Sequence, residues 1–246
     1  MPDQKRVNIW RAFLNRPNTD SAKTLGVAFL VALGCSVIVS LTAIYLKPLL
    51  DANRLRESAG SLVEIVDALG VPVPQVRLVE RTSGEYLSRA TSDKAALDPD
   101  QDLAGLKEVE NTLTAYEVRD GARLTLVILP VRGAGYKSTL HGYLALKADL
   151  NTIAALTFYQ QDETPGMGAR IMEKKWQDLW RDKKTADATG AIQIRVVTGA
   201  ASGIYEVDGI SGATRTGNGV SNLVKFWLGT NGYGPYLARL KQQGDG

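Results

Sequence analysis

Residues 24–46 carry no charge and are mostly apolar, and a lysine stands at each end, Lys23 and Lys47. As a helix this stretch is about 34 Å long, enough to cross a bilayer with some tilt. The pattern predicts a retained transmembrane helix over 24–46, with Tyr45 at the interface and Pro48 stopping the helix. A cleaved leader is disfavoured, because its apolar stretch is shorter and no small-x-small cleavage site closes this one.

Beyond the span the pattern changes. Leu62, Ile65, Val66 and Leu69 recur at helical spacing within 57–69, before the breaker Val71-Pro72-Val73-Pro74. Short segments rich in β-branched and aromatic residues predict strands at 113–118, 124–129, 140–146 and 152–159. A helix is predicted over 169–183, with Met172, Trp176, Leu179 and Trp180 on one face. Strands at 192–197 and 204–207 follow, then a helix at 220–228. A last short helix is predicted from Pro235 to about Gln242, with proline in its first position. Strands that follow one another without helices between them predict an α+β fold with an antiparallel sheet flanked by helices, not a doubly wound nucleotide fold. The expected organisation is an N-terminal segment 1–23, the span 24–46, a linker helix and start of the soluble region 47–100, and a main domain 101–246.

Charge sets an orientation. The net charge of +3 resides entirely in residues 1–23, where Lys5, Arg6, Arg11, Arg16 and Lys23 face only Asp3 and Asp20. Three basic residues closely follow the span, so the positive-inside rule places the N-terminus in the cytoplasm and the soluble domain outside, in the periplasm of a two-membrane cell. The balanced remainder gives no footprint for nucleic acid. One cysteine, Cys35, and one histidine, His141, exclude internal disulfides and four-cysteine clusters and disfavour a dedicated metal site.

Two loops carry candidate chemistry. The segment 208–219 reads Asp-Gly-Ile-Ser-Gly-Ala-Thr-Arg-Thr-Gly-Asn-Gly between a predicted strand and a predicted helix. Small residues and hydroxyls at a helix start suit a phosphate; they equally suit a glycine-rich turn with hydroxyl caps. The second loop is Asp162-Glu163-Thr164-Pro165-Gly166-Met167-Gly168, with a Pro-Gly turn signal. It is suited to offer backbone donors to a flat polar ring with Met167 against its face, or simply to connect a strand to a helix. No dinucleotide fingerprint or P-loop is present; 133–138 lacks the glycine before Lys137 and leads into no helix.

These stretches together resemble NqrC, the FMN-carrying subunit of the sodium-translocating NADH:quinone reductases. The likeness runs through the anchor followed by Leu46-Lys47-Pro48-Leu49, Gly142-Tyr143-Leu144-Ala145-Leu146, the Glu163-Thr164-Pro165-Gly166-Met167-Gly168 loop, Trp176 with Leu179-Trp180, and the ending Phe226-Trp227-Leu228-Gly229-Thr230-Asn231-Gly232-Tyr233-Gly234-Pro235. The resemblance implies an FMN-binding domain over 101–246, in which a flavin transferase attaches FMN through its phosphate to the threonine of a D-G-x-[ST]-G-A-T motif. That threonine falls on Thr214, with Asp208, Ser211, Gly212 and Ala213 completing the motif. Glu163, Thr164, Pro165, Gly166, Met167 and Gly168 are the further cofactor-binding candidates. No catalytic residue and no metal ligand are implied.

The implied role is an electron relay between an iron–sulfur centre and a flavin elsewhere in the complex. The relay serves an inner-membrane oxidoreductase that couples NADH oxidation and ubiquinone reduction to sodium export, the chain alone not oxidising NADH. Its partners are then the other subunits, the transferase and membrane lipid. The chain departs from the family pattern at Met167, where leucine is expected, at Gln161-Asp162, and at Lys137, where an aromatic is common. One alternative is the equivalent FMN protein of an Rnf-type ferredoxin:NAD oxidoreductase, disfavoured by the 226–237 ending. A distant one is a serine hydrolase using Ser211 with His141, which lacks the last glycine of the nucleophile elbow and has its base in the wrong chain order.

Overall fold

The computed structural model describes residues 15, 17 and 20–244 and divides into two compact units, 1–55 and 56–246. Most of the predicted cytoplasmic segment 1–23 lies outside the described residues. Helix α1 covers Ser21–Leu69 and carries Pro48 within it. The predicted stop at Pro48 is therefore not a stop. Proline removes one amide donor from a helix and bends it, but Leu46, Leu49 and Leu50 around it are good helix formers. Within Ser21–Leu50 the most apolar 18-residue window has a mean hydropathy of 2.5, and none of it is buried. It is the one helix among the described residues long and apolar enough to cross a membrane, and it contains the predicted span. This fits a membrane anchor.

In the second unit, α1 ends where Gly70 takes φ +61. The Val71 amide donates to the Val66 carbonyl at 3.2 Å and the Gly70 amide to Asp67 at 3.1 Å. That is a Schellman cap, closing the helix just before the predicted proline breaker. A six-stranded antiparallel sheet follows in the order β2-β1-β5-β6-β7-β8. Its strands are β1 Gln75–Glu80, β2 Tyr86–Leu87, β5 Thr112–Asp120, β6 Arg123–Ala134, β7 Thr139–Lys147 and β8 Ile153–Gln160. Strands β3 Lys94–Ala96 and β4 Glu108–Glu110 form a small antiparallel ladder. The α+β class holds. The four predicted strands appear as β5 to β8, whereas β1 to β4 have no predicted counterpart.

The sheet is buried on both faces, as the continuous apolar run along β6 requires. Val127, Leu129 and Val131 point to one face, where they join Val220, Leu223, Val224, Phe226 and Trp227 of the helix α3, Thr214–Leu228, and Tyr236, Leu237 and Leu240 of α4, Gly234–Gly244. Leu126 and Ile128 point to the other, against Ile65 and Val66 of α1. The predicted helix 169–183 is instead three short pieces: a 3-10 turn Gly168–Met172, the four-residue helix α2 Lys174–Gln177, and a 3-10 turn Asp178–Trp180. Tertiary anchoring overrides helix propensity here. Trp176 and Trp180 are both buried, edge-to-face with centroids 5.8 Å apart, and the Trp176 Nε1 donates to the Asp208 carbonyl at 2.9 Å. The predicted strands 192–197 and 204–207 shrink to a parallel two-residue pair, β9 Arg195–Val196 and β10 Glu206–Val207.

One buried charge staples the edge of this layer. Glu117 of β5 accepts from the hydroxyls of Tyr236 at 2.6 Å and Tyr86 at 2.7 Å and from Arg119 Nε at 2.7 Å. Burial opposes its ionisation, but those hydrogen bonds prevail and hold its carboxyl below the usual range. It joins β2 and α4 to the sheet. Glu117→Ala leaves the buried Tyr236 hydroxyl, the Tyr86 hydroxyl and the Arg119 guanidinium without their acceptor, so a destabilisation of about 2–3 kcal/mol is expected. Thermal unfolding of the full chain in detergent is to show it as a Tm lower by roughly 5–10 °C.

Candidate functional site

The stretch 208–219 forms a turn that runs directly into α3. The Ala213 amide donates to the Ile210 carbonyl at 2.9 Å and Gly212 has φ +75, the pattern of a type II turn with glycine where positive φ is needed. Helix α3 starts at Thr214, ahead of the predicted start near 217–220. Ala213 occupies the N-cap position and supplies no side-chain cap. The first intrahelical bond runs from Gly217 to Ala213, so the amides of Thr214, Arg215 and Thr216 have no acceptor among the described residues. Thr214 is exposed at this uncapped start, which makes the place a ready anion site.

The loop 162–168 forms a second turn of the same kind. The Met167 amide donates to the Thr164 carbonyl at 3.1 Å, Pro165 and Gly166 fill the corner, and Gly166 has φ +74. The two turns face each other, for a Cβ placed on Gly212 would lie 3.2 Å from the Met167 Cε. Between them lies a cavity of about 320 Å³ lined by Glu163, Thr164, Met167, Gly168, Tyr136 and residues 212–216. Met167 and Tyr136 are exposed, and the Arg215 guanidinium sits 5.1 Å from the centre of the Tyr136 ring. A second cavity of similar size also borders Thr214, lined by 196–199, 209–214, Gly217 and Asn218. Thr214 borders both.

Glu163 joins these parts. It is buried, yet one of its oxygens accepts from the Thr216 hydroxyl at 2.6 Å. The carboxylate also accepts from the amides of Lys137 at 2.8 Å, Ser138 at 3.0 Å and Tyr136 at 3.3 Å, and from the Ser138 hydroxyl at 3.1 Å. Glycines make room for it: a Cβ on Gly135 would lie 2.6 Å from its Oε1, and one on Gly168 2.8 Å from its Oε2 and 2.6 Å from the Thr216 hydroxyl. The loop 135–138 lacks a P-loop pattern, and the structure shows it to be a nest of amides whose anion is a side chain of the protein.

Of the sequence candidates, the structure brings Glu163, Thr164, Met167 and Gly168 to one cavity with Gly212, Ala213 and Thr214. Pro165 and Gly166 shape the turn, and Ser211 lines the second cavity. Asp208 lines neither: its carboxylate accepts from the Ala201 amide at 2.7 Å and its carbonyl from Trp176. Thr216 and Tyr136 are not among the candidates, and no sequence signal links them to Glu163. His141 lines a cavity with Tyr143 and Tyr159 that does not include Ser211, so nothing here places a base beside that serine.

Burial resists ionisation of Glu163, but the bonds from Thr216, Lys137 and Ser138 outweigh it and its carboxyl is held below the usual range. The stability this contributes is complete above the unfolded carboxyl value of about 4.3 and is lost as pH falls through the lower folded value. Glu163→Gln is therefore expected to lower the Tm at pH 7 and to match the native chain increasingly closely as pH drops below about 4. Melting curves of both proteins from pH 7 to pH 3 measure this.

A family model described as FMN-binding domain matches residues 135–229, the stretch from the amide nest to the end of α3. The chain is 36% identical to the NqrC protein of the Na(+)-translocating NADH-quinone reductase of Vibrio alginolyticus, an alignment covering 91% of this chain and 97% of that protein. It is 37% identical to the corresponding protein of Pseudomonas aeruginosa, with 90% and 97% covered. The solved structure of NqrC from Shewanella oneidensis is similar with a TM-score of 0.63 at 32% identity, covering 69% of this chain and 85% of that one. The solved structure of its counterpart from Parabacteroides distasonis gives 0.52 at 28%, with 67% and 78% covered. With relatives this similar along nine-tenths of its length, and an FMN-binding match that frames the cavity beside Thr214, the chain belongs to the NqrC family of the Na(+)-translocating NADH-quinone reductases.

Proposed function

We propose that this chain carries FMN through a phosphoester on Thr214 and works as the electron relay between an iron–sulfur centre and a second flavin protein. In this reading it serves a membrane complex that couples NADH oxidation and quinone reduction to sodium export. The observation that carries the reading is the exposed Thr214 at the uncapped start of α3, with the unbonded amides of residues 214–216 around it. A phosphodiester on that hydroxyl keeps one negative charge, which those amides, the helix dipole and Arg215 favour. The adjacent cavity suits a flat ring, with the apolar Met167 and the aromatic Tyr136 at its mouth. Bound there, FMN supplies reversible electron transfer; the protein supplies orientation and polarity.

Three hydroxyls compete for the phosphate. Thr216 is buried and donates to Glu163, so a transferase has no access to it. Ser211 is exposed but sits in the turn ahead of the helix, outside its first turn. Attachment by a flavin transferase therefore falls on Thr214. The anchor in α1 then holds the soluble unit at the membrane, on the periplasmic side by the distribution of basic residues, among the other subunits and lipid.

Thr214→Ala is expected to remove flavin fluorescence from the denatured protein while changing stability by no more than about 0.5 kcal/mol, because the side chain is exposed. A denaturing gel under ultraviolet light, beside a melting curve, reads both. A fluorescent band on the variant contradicts the assignment.

A further inference from the structure

We infer that Glu163 is a positioning residue for flavin attachment, acting through Thr216 to turn the Thr214 hydroxyl outward. The inference rests on Thr214 being the attachment site. Helix α3 has no side-chain cap to fix its first turn, and its hydroxyl at Thr216 is spent on Glu163 instead. Residues two apart on a helix point about 200° away from each other. Pinning Thr216 inward, where it is 2% exposed, therefore directs Thr214 to the opposite side, where it is exposed.

The acceptor that does the pinning is itself immobile. Its oxygens take five donors from residues 136–138 and 216, and the glycines at 135 and 168 close around it. All of these donors belong to the protein, so Glu163 needs no contact with the cofactor to set the geometry. The same bond keeps the Thr216 hydroxyl from competing with Thr214.

In the attachment step the Thr214 O–H bond breaks and its oxygen forms a bond to the flavin-side phosphorus of FAD. The bond from that phosphorus to the bridging oxygen breaks, AMP leaves with the electron pair, and the proton passes to solvent. Nothing is oxidised or reduced. The rate of this step depends on how the nucleophilic oxygen is aimed, and a misplacement of about 1 Å costs on the order of a hundredfold.

The test uses the full-length apo chain in detergent with a flavin transferase and FAD, followed by intact mass, with peptide mapping of the product. Thr216→Val removes the donor and keeps the volume. Its attachment is expected to slow at least about tenfold in kcat, with KM for the chain within about twofold of the native value. Thr216→Ser, which restores the hydroxyl, is expected to recover the native rate. A Val variant labelled at the native rate, one impaired in KM alone, or a Ser variant as slow as Val overturns the inference. If the Val variant does not fold, Glu163→Gln decides: slowed kcat supports the role and a native rate overturns it. Absence of label on Thr214 of the native chain is a separate result, and it removes the attachment site itself.

Discussion

An ionised carboxylate inside a protein costs several kcal/mol in lost hydration, and only a full set of donors makes it tolerable. Glu163 meets that condition without a cation. Its donors come from a hairpin 25–27 residues earlier in the chain and from a helix 53 residues later. Separating these segments strips donors from a buried charge, so the three hold together as a unit. The facing turns at Gly166 and Gly212, the cavity between them and the exposed Thr214 all depend on that knot.

The knot needs a stiff frame, and the sheet provides it. Strand β6 is apolar on both faces and lies between β5 and β7, so the hairpin that presents the amides of 136–138 is an extension of the best-buried part of the molecule. Helix α3 is tied at both ends to the same layer. Its first turn is held through Thr216, and near its last turn the Trp227 Nε1 donates to the Arg132 carbonyl at 2.6 Å. Just beyond it, Tyr233 donates to the Thr114 carbonyl at 2.9 Å. A helix fixed at both ends presents its free N-terminal amides in one direction, and electrostatic preorganisation of this kind is what a phosphate site requires.

Much of this is legible in the residues. The charge-free stretch 24–46 marks the helix that is long and apolar enough to cross a membrane. Strands β5 to β8 are visible in their β-branched and aromatic runs. The turn at Pro165-Gly166 and the small-residue start of α3 are visible as local chemistry. What escapes depends on contacts distant in sequence. Strands β1 to β4 are short or polar and exist by pairing. The segment 169–183 has helical spacing but breaks into short pieces that bury Ile171 with Trp176 and Trp180 and leave Met172 and Leu179 exposed. Pro48 reads as a stop, and the helix carries on through it. The role of Glu163 is out of reach altogether, since no spacing rule connects it to Ser138 and Thr216; as a loop residue beside a flavin candidate it reads as a ring contact, whereas its oxygens are bound within the protein.

In the proposed assignment one hydroxyl, made accessible at an uncapped helix start, holds the cofactor. Proteolysis of the native chain followed by mass spectrometry of the peptide spanning 208–219 tests it most directly. The expected peptide is heavier by FMN less one water, with fragment ions placing the addition on Thr214. An unmodified peptide from flavin-bearing protein, or an addition placed on Ser211 or Thr216, contradicts it.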